Sequence, residues 1–249
     1  MKIFLSALEQ APKVYEYLKK QDTKFKYNLM SYYYIRKNKY ELACELRDNS
    51  ELILIDSGAH SFQFGLKENW VEYTKEYADF IKKFDKPNVV GYFEMDIENI
   101  IGYNKVLELR KILEEVSDKI IPVWHPERGI KDYEEMCKKY HDKVIAIGGF
   151  RGTDIKDEQF LMFLKVAKKY NCKVHCLGMT RTKVLDKVPF DYTDSSSWVM
   201  SCVYGRALNK KKFPKAVKEE KTKQKAYNYI LSMDLQEHYH KKWRKECKD

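Results

Sequence analysis

Three acidic residues, Asp56, Asp96 and Asp194, stand at or just after the ends of short β-rich segments, where they could carry out chemistry. His125 and the pair Gly148–Gly149 follow two further segments of this kind. Two carboxylates placed together can displace a group from the anomeric carbon of a sugar, because one attacks that carbon while the other transfers protons. A third carboxylate can accept the N–H edge of a guanine-like base, and a glycine pair lets the backbone approach a flat ligand. The residues therefore predict a glycosyl-transfer or glycosyl-hydrolysis site that holds a planar heterocycle.

The segments that carry these residues alternate along the chain with amphipathic stretches of helical periodicity. Apolar strands separated by helices of about ten or more residues are typical of parallel strands joined by crossover helices. Capping of the following helix can explain any one strand-end aspartate, but it does not readily explain a whole ring of polar strand ends. The predicted strands are Lys2–Leu5, Leu52–Asp56, Val89–Asp96, Ile120–Trp124, Val144–Gly148, Val174–Gly178 and Phe190–Thr193, and the predicted helices are Ala11–Lys20, Tyr40–Asp48, Trp70–Phe84, Tyr103–Val116, Asp132–Tyr140, Glu158–Tyr170, Thr182–Asp186 and Lys218–Lys245.

This alternation predicts a single (β/α)8 TIM-like barrel, in which Val199–Tyr204 is either the eighth strand or a helix. The chain has 249 residues, and about 250 is typical of this fold. An open doubly wound sheet is the alternative, which the lack of a glycine-rich dinucleotide loop or Walker loop disfavours. We divide the chain into a barrel over residues 1–209 and a basic C-terminal helical extension over residues 210–249. In a barrel, all the strand-end residues named above meet at one mouth.

The composition favours a cytoplasmic protein that needs no metal or cofactor. No apolar run is long enough to cross a membrane, and the N-terminus turns polar too early for a secretory signal. The six cysteines form no Cys-x-x-Cys pair, which indicates reduced thiols. Cys172, His175 and Cys176 could suggest a zinc site, but a strand with alternating faces explains them better, since zinc requires converging ligands.

The net charge of +10 suits a polyanionic partner. Residues 210–249 contain 13 Lys and Arg against 6 Asp and Glu, which gives a net charge of +7 in that segment. Tyrosine and tryptophan interleave with the basic residues, as they do in proteins that contact phosphates and bases. A solvated lysine-rich helix is the alternative. A nucleic-acid partner is the prediction that uses both features, with Lys210, Lys211 and Lys212 as phosphate contacts.

The strand-end residues resemble, in order and spacing, those of the tRNA-guanine transglycosylases. The segment 54–61, Leu-Ile-Asp-Ser-Gly-Ala-His-Ser, resembles the family motif Asp-Ser-Gly-Gly-Phe-Gln, and the segment 146–149, Ala-Ile-Gly-Gly, resembles its Val-Gly-Gly. Asp96 lies where the family holds the guanine edge, His125 roughly where it has a base-reading glutamine, and Asp194 at a spacing similar to that of its nucleophile. The resemblance extends over about residues 50 to 205, most of the barrel.

Two departures from the family change the expected substrate. The zinc motif of the family is absent, and the chain is shorter than the tRNA enzymes. The block Asp-Ser-Ser-Ser-Trp at 194–198 and the small size are more similar to the phage-type relatives that place 7-deazaguanines in DNA. The resemblance therefore implies exchange of guanine for a 7-deazaguanine in a nucleic acid, with DNA favoured over tRNA. It is also compatible with a homodimer.

Carried over by position, the resemblance assigns a role to each residue. Asp194 would attack the anomeric carbon, and Asp56 would act as general acid and base. The base would be held by Asp96, His125, Ser57, Gly58 and the Gly148–Gly149 backbone. Arg151 and Arg206 are candidates for phosphate contacts, and Trp198, Tyr204 and Phe150 are candidates for stacking on the base, with core packing or ordinary surface positions as their alternatives. A nucleoside or nucleic-acid N-glycosidase that uses water, and a non-catalytic nucleic-acid-binding subunit, are the competing functions.

Overall fold

Nine parallel strands form one sheet in the computed structural model, which describes residues 1–62, 68–148, 157–208 and 212–247. The order across the sheet is β5-β4-β3-β2-β1-β9-β8-β7-β6. The two outermost strands, β5 and β6, are separated along the chain only by Pro122, so the sheet curves round into a nearly closed barrel. The predicted TIM-like barrel is confirmed. The strands are β1 Lys2–Ser6, β2 Phe25–Ser31, β3 Ser50–Asp56, β4 Val89–Phe93, β5 Ile120–Ile121, β6 Val123–Trp124, β7 Val144–Ile147, β8 Lys173–Cys176 and β9 Tyr192–Ser195.

Helices connect the strands and surround the barrel. Pairing between successive strands is parallel throughout, so each connection must return outside the sheet, and amphipathic helices provide that return. Single turns of 3-10 helix lie at Leu8–Gln10, Ala59–Phe62 and Pro126–Arg128. The helices are α1 Pro12–Lys19, α2 Tyr32–Ile35, α3 Tyr40–Asp48, α4 Trp70–Phe84, α5 Glu98–Ile101, α6 Tyr103–Glu114, α7 Gly129–Lys139, α8 Asp157–Lys169, α9 Thr182–Leu185, α10 Ser197–Val203, α11 Lys215–Lys218 and α12 Lys221–Lys242.

The sequence prediction missed one strand, β2. Its sequence, Phe-Lys-Tyr-Asn-Leu-Met-Ser, lacks a continuous apolar run because Asn28 lies at its centre. Asn28 is nevertheless fully buried, since it donates to the Ser50 hydroxyl at 3.0 Å and accepts from the Tyr229 hydroxyl at 2.6 Å. The alternative eighth strand, Val199–Tyr204, belongs largely to helix α10. A buried polar residue satisfied by distant partners therefore concealed a strand that local sequence could not reveal.

Proline 122 divides one barrel strand into β5 and β6. Proline has no backbone N–H to donate to a sheet, while the Pro122 carbonyl still accepts from the Ala146 N–H at 2.9 Å. β5 pairs with β4 and β6 pairs with β7. Together the two short strands occupy the place of the single strand predicted over Ile120–Trp124, and they join the two ends of the sheet.

Apolar side chains fill the barrel on both of its surfaces. Because successive strand residues face opposite sides of a sheet, Phe4 and Leu54 point into the barrel interior, while Ile3 and Ile53 pack under the helices. The interior cluster consists of Phe4, Tyr27, Leu29, Leu54, Phe93, Ile121, Val123, Ala146 and Tyr192. The interior is thus a packed core that leaves polar side chains at the ends of the strands.

The predicted basic C-terminal helix is α12, and it packs directly against the barrel. Gln236 donates to the carbonyl oxygens of Ile3 and Tyr27 at 2.7 and 2.8 Å. Tyr229 is buried against Trp198 with its ring edge-on. In the part of the chain that the structure describes, no helix is long and apolar enough to cross a membrane.

Candidate active site

The polar residues at the barrel mouth lie two positions beyond residues of the interior core. Asp56 follows Leu54 by two residues, and Asp194 follows Tyr192 by two. The alternation of a strand therefore directs both carboxylates towards the barrel axis at its carboxyl end. Active sites of barrel enzymes occupy this end. Asp194 is paired in register with Phe4, which places it in the same layer of the wall.

Asp194 is held by three donors. Its Oδ1 accepts from His175 Nε2 at 3.0 Å and from the Gly178 N–H at 2.8 Å. Its Oδ2 lies 3.5 Å from the Ser6 hydroxyl, and its side chain is 16% exposed. One oxygen is therefore fixed from below while the other lies towards the mouth. A carboxylate fixed in this way is oriented for attack on an electrophile above it.

His175 extends the barrel core up to Asp194. It is fully buried, with ring centroids 4.9 Å from Phe93 and 6.4 Å from Phe4. Its Nδ1 has no hydrogen-bond partner among the described residues, so the tautomer that satisfies Asp194 carries its proton on Nε2. In sequence His175 was considered only beside Cys172 and Cys176, and its separation of 19 residues from Asp194 gave no indication of the pairing.

Asp56 has an acidity suited to proton transfer. Burial, together with the negative charges of Asp96 and Asp194, raises its pKa to about 7, although the hydrogen bond from the Gly58 N–H at 3.0 Å opposes the effect. Asp56 therefore lies within electrostatic range of both other carboxyl groups. A group with a pKa near neutrality can both donate and accept a proton under physiological conditions.

Asp96, His125 and Gly148 form a second cluster at the mouth. His125 Nε2 lies 2.6 Å from Asp96 Oδ1. Burial alone would lower the pKa of His125, but the hydrogen bond and the negative charges of Asp96 and Glu98 outweigh it, so the pKa is raised. A Cβ added at Gly148 would lie 3.0 Å from His125 Cε1 and 3.1 Å from Val123 Cγ1. Gly148 therefore leaves the His125 ring room to lie flat against the backbone.

Ser57 and Gly58 shape the strand end beside Asp56. Ser57 is fully buried, and its carbonyl oxygen accepts from the Tyr73 hydroxyl at 2.6 Å. Gly58 has a φ of +83°, and a Cβ there would lie 2.3 Å from Tyr33 Cβ. Glycine is required by both the backbone conformation and this close approach. The Gly58 N–H also donates to Asp56 at 3.0 Å, and contact of Ser57 and Gly58 with a base stays a prediction.

Several of the predicted contacts lie outside the described residues: Gly149, Phe150, Arg151, Lys210 and Lys211.

The predicted contact residues that the structure describes fall into two groups. Arg206 and Lys212 are exposed, and the Arg206 guanidinium lies 5.5 Å from the centroid of the Tyr204 ring. Tyr204 is 67% exposed and available for stacking. Trp198, by contrast, is fully buried and donates to the Ser6 carbonyl at 2.8 Å. The stacking role considered for Trp198 is therefore wrong, because its ring belongs to the packing between α10 and α12.

A buried ion pair between Glu94 and Arg110, which was not predicted from sequence, lies below the residues of the mouth. Glu94 Oε1 and Arg110 Nη2 are 2.9 Å apart, and both residues are almost fully buried. Glu94 also accepts the Val123 N–H, the first backbone donor after Pro122. Burial raises the pKa of Glu94, although the charge and hydrogen bonds of Arg110 oppose the effect. Glu94 therefore joins β4 to β6 below Asp96.

Glu9 is a further buried acid close to the mouth. Its Oε1 accepts from the Ser31 N–H at 3.3 Å, and Ser31 is paired in register with Asp56. Its Oε2 has no partner among the described residues. Burial raises the pKa of Glu9 to about 7. In sequence Glu9 appears as an ordinary polar residue after β1, which is why it was not predicted.

The described residues contain no group of three or more His, Cys, Asp and Glu side chains placed to hold a metal ion. Cys172 donates to the Cys137 and Tyr140 carbonyls under the helices. His175 faces the barrel interior, and Cys176 packs in the outer core. The three residues considered as zinc ligands therefore do not converge.

Comparison with known proteins adds information on the fold. No protein-family model matches the sequence, and no curated protein does. Among the solved structures that match is the crystal structure of a proposed fructose-1,6-biphosphate aldolase from Coccidioides immitis, with a TM-score of 0.52 and 12% sequence identity over 93% of this chain and 89% of that chain. At this identity the likeness concerns the barrel alone, and one barrel fold supports many unrelated reactions.

Proposed function

We propose that this protein is a base-exchange glycosyltransferase that replaces guanine in a nucleic acid, DNA in preference to tRNA, with a 7-deazaguanine. One observation carries the proposal: Asp194, fixed by His175 and the Gly178 N–H, shares the barrel mouth with Asp56, whose pKa is raised to about 7. The pair supplies a nucleophile and a group that can transfer protons, which are the two functions that displacement at an anomeric carbon requires.

The proposed reaction has two balanced halves. Asp194 Oδ2 forms a bond to the anomeric carbon of the target nucleotide, and the bond from that carbon to guanine N9 breaks. Protonated Asp56 delivers a proton to the departing guanine and is left as a carboxylate. The entering 7-deazaguanine returns a proton to Asp56 as its ring nitrogen displaces Asp194 from the sugar.

The second cluster supplies the place for the base. Asp96 can accept the N–H edge of a guanine, because one of its oxygens is engaged by His125 and its side chain remains 26% exposed. The Gly148 backbone lies against the His125 ring and presents no side chain to the ligand. The target base must leave its stack to reach this position, which costs a few kcal/mol in a duplex.

Aldolase chemistry, which the name of the structural neighbour raises, finds less support. A Schiff-base aldolase requires a lysine at the mouth. The lysines in the described strands, Lys2, Lys26 and Lys173, all lie at or near the first residues of their strands, at the opposite end from Asp194. The carboxylates at the mouth favour glycosyl transfer.

Exchange of radiolabelled guanine into single-stranded DNA and into tRNA tests the proposal. The wild type is expected to incorporate label and, after denaturing quench, to show a covalent adduct with its nucleic acid. Asp194→Asn is expected to bind nucleic acid but to show neither exchange nor adduct, because phosphate contacts carry most of the affinity. Asp56→Asn is expected to exchange about 10²–10⁴-fold more slowly.

The control for both variants is Asp22→Asn, an exposed aspartate on the turn after α1. Exchange by Asp194→Asn at the wild-type rate would show that the nucleophile lies elsewhere. Release of guanine without incorporation would indicate a hydrolysing N-glycosidase that uses the same carboxylates. Binding without either reaction in the wild type would indicate a non-catalytic nucleic-acid-binding subunit.

A further inference from the structure

A large cavity lies between the barrel wall and α12, outside the candidate active site. We call it the interlayer cavity; its floor is formed by outward-facing residues of β1, Ile3 and Leu5, and by Leu231 and Leu235 of α12. Its volume is about 670 Å³. Protein interiors are otherwise closely packed, and a volume of this size is typical of ligand pockets.

The cavity exists because the outer layer is thin at this point. The crossover between β8 and β9 contains only the four-residue helix α9. The main helices of the other crossovers have 8 to 15 residues. Such a short helix cannot cover the wall between β1 and β9, and α12 spans the remaining gap without filling it.

The rim of the interlayer cavity is cationic. Arg181 and Arg206 line it, and both are exposed. Neither makes an ion pair with another described residue. Hydroxyl groups of Thr180, Thr182 and Ser197 line the same rim. Arginine and hydroxyl side chains are the groups that most often contact phosphate oxygens.

The interior of the cavity suits the body of a nucleotide. Seven of its lining residues are leucine, isoleucine or methionine, and these side chains can cover the faces of an aromatic ring. Asp234 and His238 of α12 also line it, and both can hydrogen bond to the polar edge of a base. The ligand that fits an apolar interior with a cationic rim has a flat body and a phosphate.

Only the end of strand β9 separates this cavity from the barrel mouth. Asp194 faces the mouth, whereas the next residue, Ser195, lines the cavity. Gly178 donates to Asp194, whereas the next residue, Met179, lines the cavity. Consecutive α-carbons are about 3.8 Å apart, so the mouth and the cavity lie on the two sides of the same strand end.

We propose that the interlayer cavity binds the nucleotide next to the target in the nucleic-acid strand, with its phosphate between Arg181 and Arg206 and its base inside. This inference rests on the proposed function, since it places the target nucleotide over Asp194. The cavity then supplies the preference for sequence context, and the enzyme acts on a strand from which two neighbouring bases have been unstacked.

Equilibrium binding of fluorescent single-stranded DNA pentamers with a central guanine tests the inference without any exchange. Three pentamers are compared: intact, abasic on the 5′ side of the guanine, and abasic on the 3′ side. The wild type is expected to bind one of the two abasic pentamers about tenfold more weakly than the intact pentamer, and the other abasic pentamer equally well. A tenfold loss is the magnitude typical of one stacked base. Arg181→Gln/Arg206→Gln is expected to bind the intact pentamer about tenfold or more weakly.

Two further variants complete the design. Leu235→Trp fills the cavity. This variant is expected to bind the intact pentamer and the abasic pentamer that the wild type binds more weakly with equal affinity. Lys24→Gln/Lys143→Gln removes the same two charges at the opposite end of the barrel, where both residues are exposed and directly precede β2 and β7, and is expected to bind as the wild type does. Because the arginine pair is exposed, its substitution tests the inference even if Leu235→Trp fails to fold.

Equal affinity of the wild type for all three pentamers, or no measurable binding, would overturn the inference. The outcome is separable from that of the proposed function. A side-specific loss that disappears in Leu235→Trp, without guanine exchange, would support the cavity and refute the exchange activity. Exchange with equal kcat/KM on intact and abasic pentamers would support the activity and refute the cavity.

Discussion

Replacing Asp56 by asparagine should stabilise the protein at alkaline pH and leave its stability nearly unchanged below about pH 4. The pKa of Asp56 is raised from 3.8 to about 7, mainly by burial. Between these values the folded protein binds a proton that the unfolded chain does not, so stability falls as pH rises from about 4 to about 7 and is constant above. Asparagine is always neutral and can still accept the Gly58 N–H.

The magnitude follows from the displacement of the pKa. A shift from 3.8 to about 7 corresponds to about 4 kcal/mol, at about 1.4 kcal/mol for each pH unit. The free energy of unfolding of Asp56→Asn should therefore exceed that of the wild type by at most about 4 kcal/mol at pH 8 and by at most about 1.7 kcal/mol at pH 5, because pH 5 is closer to the pKa of 3.8 in the unfolded chain. Glu9, whose pKa is also raised to about 7, titrates in both proteins, and its contribution cancels.

Urea denaturation at pH 5 and pH 8 measures the difference, provided that the slope with denaturant is the same for both proteins. Asp22→Asn is the matched control, because Asp22 is exposed and adopts a φ of 52°, which asparagine also tolerates. A change in stability that is the same at both pH values would refute the reasoning, as would destabilisation at pH 8. Either result would mean that Asp56 is ionised at low cost in the folded protein.

Three further predictions concern the mouth and its support. Arg110→Met should lower the free energy of unfolding by about 3–5 kcal/mol, because it leaves the Glu94 carboxylate buried without its partner. Urea denaturation of the double variant Arg110→Met/Glu94→Gln should show that part of this stability is recovered. Wild-type stability of Arg110→Met would contradict the prediction. Gly148→Ala should push the His125 ring aside, since the new Cβ would lie 3.0 Å from Cε1, and raise KM for the entering base severalfold while the thermal midpoint changes little; an unchanged KM would argue against a base beside His125. The rate of guanine displacement should fall above pH 7 in the wild type, where Asp56 loses its proton, and this pH dependence should vanish in Asp56→Asn. A wild-type rate that does not change between pH 6 and pH 9 would exclude Asp56 as the acid.

The barrel and its mouth were predictable from sequence because both depend on local periodicity. Strand alternation alone places Asp56, His125 and Asp194 two residues beyond core positions. Helices such as α4 are recognisable in the sequence because one apolar face continues over 15 residues. The carboxyl ends of parallel strands necessarily meet, so the residue types at those ends indicate the chemistry before any contact is known.

The contacts that tune the site were not predictable, because each joins residues far apart in the chain. Glu94 meets Arg110 across 16 residues, and Asn28 meets Tyr229 across 201. A buried polar residue looks the same in sequence as an exposed one, and only the fold decides which partner satisfies it. The same reason hid strand β2, and it left open whether Trp198 stacks on a ligand or packs in the core, where its ring lies.

The attachment of α12 to the first two strands determines when the barrel can be completed during synthesis. Gln236 binds the carbonyl oxygens of Ile3 and Tyr27, which precede it by 233 and 209 residues. The ribosome therefore releases β1 and β2 more than 200 residues before the helix that binds them. Closing so long a loop costs entropy that local contacts cannot offset earlier. While those residues are synthesised, the outward faces of β1 and β2 lack α12, and a chain that stops before residue 221 cannot add it.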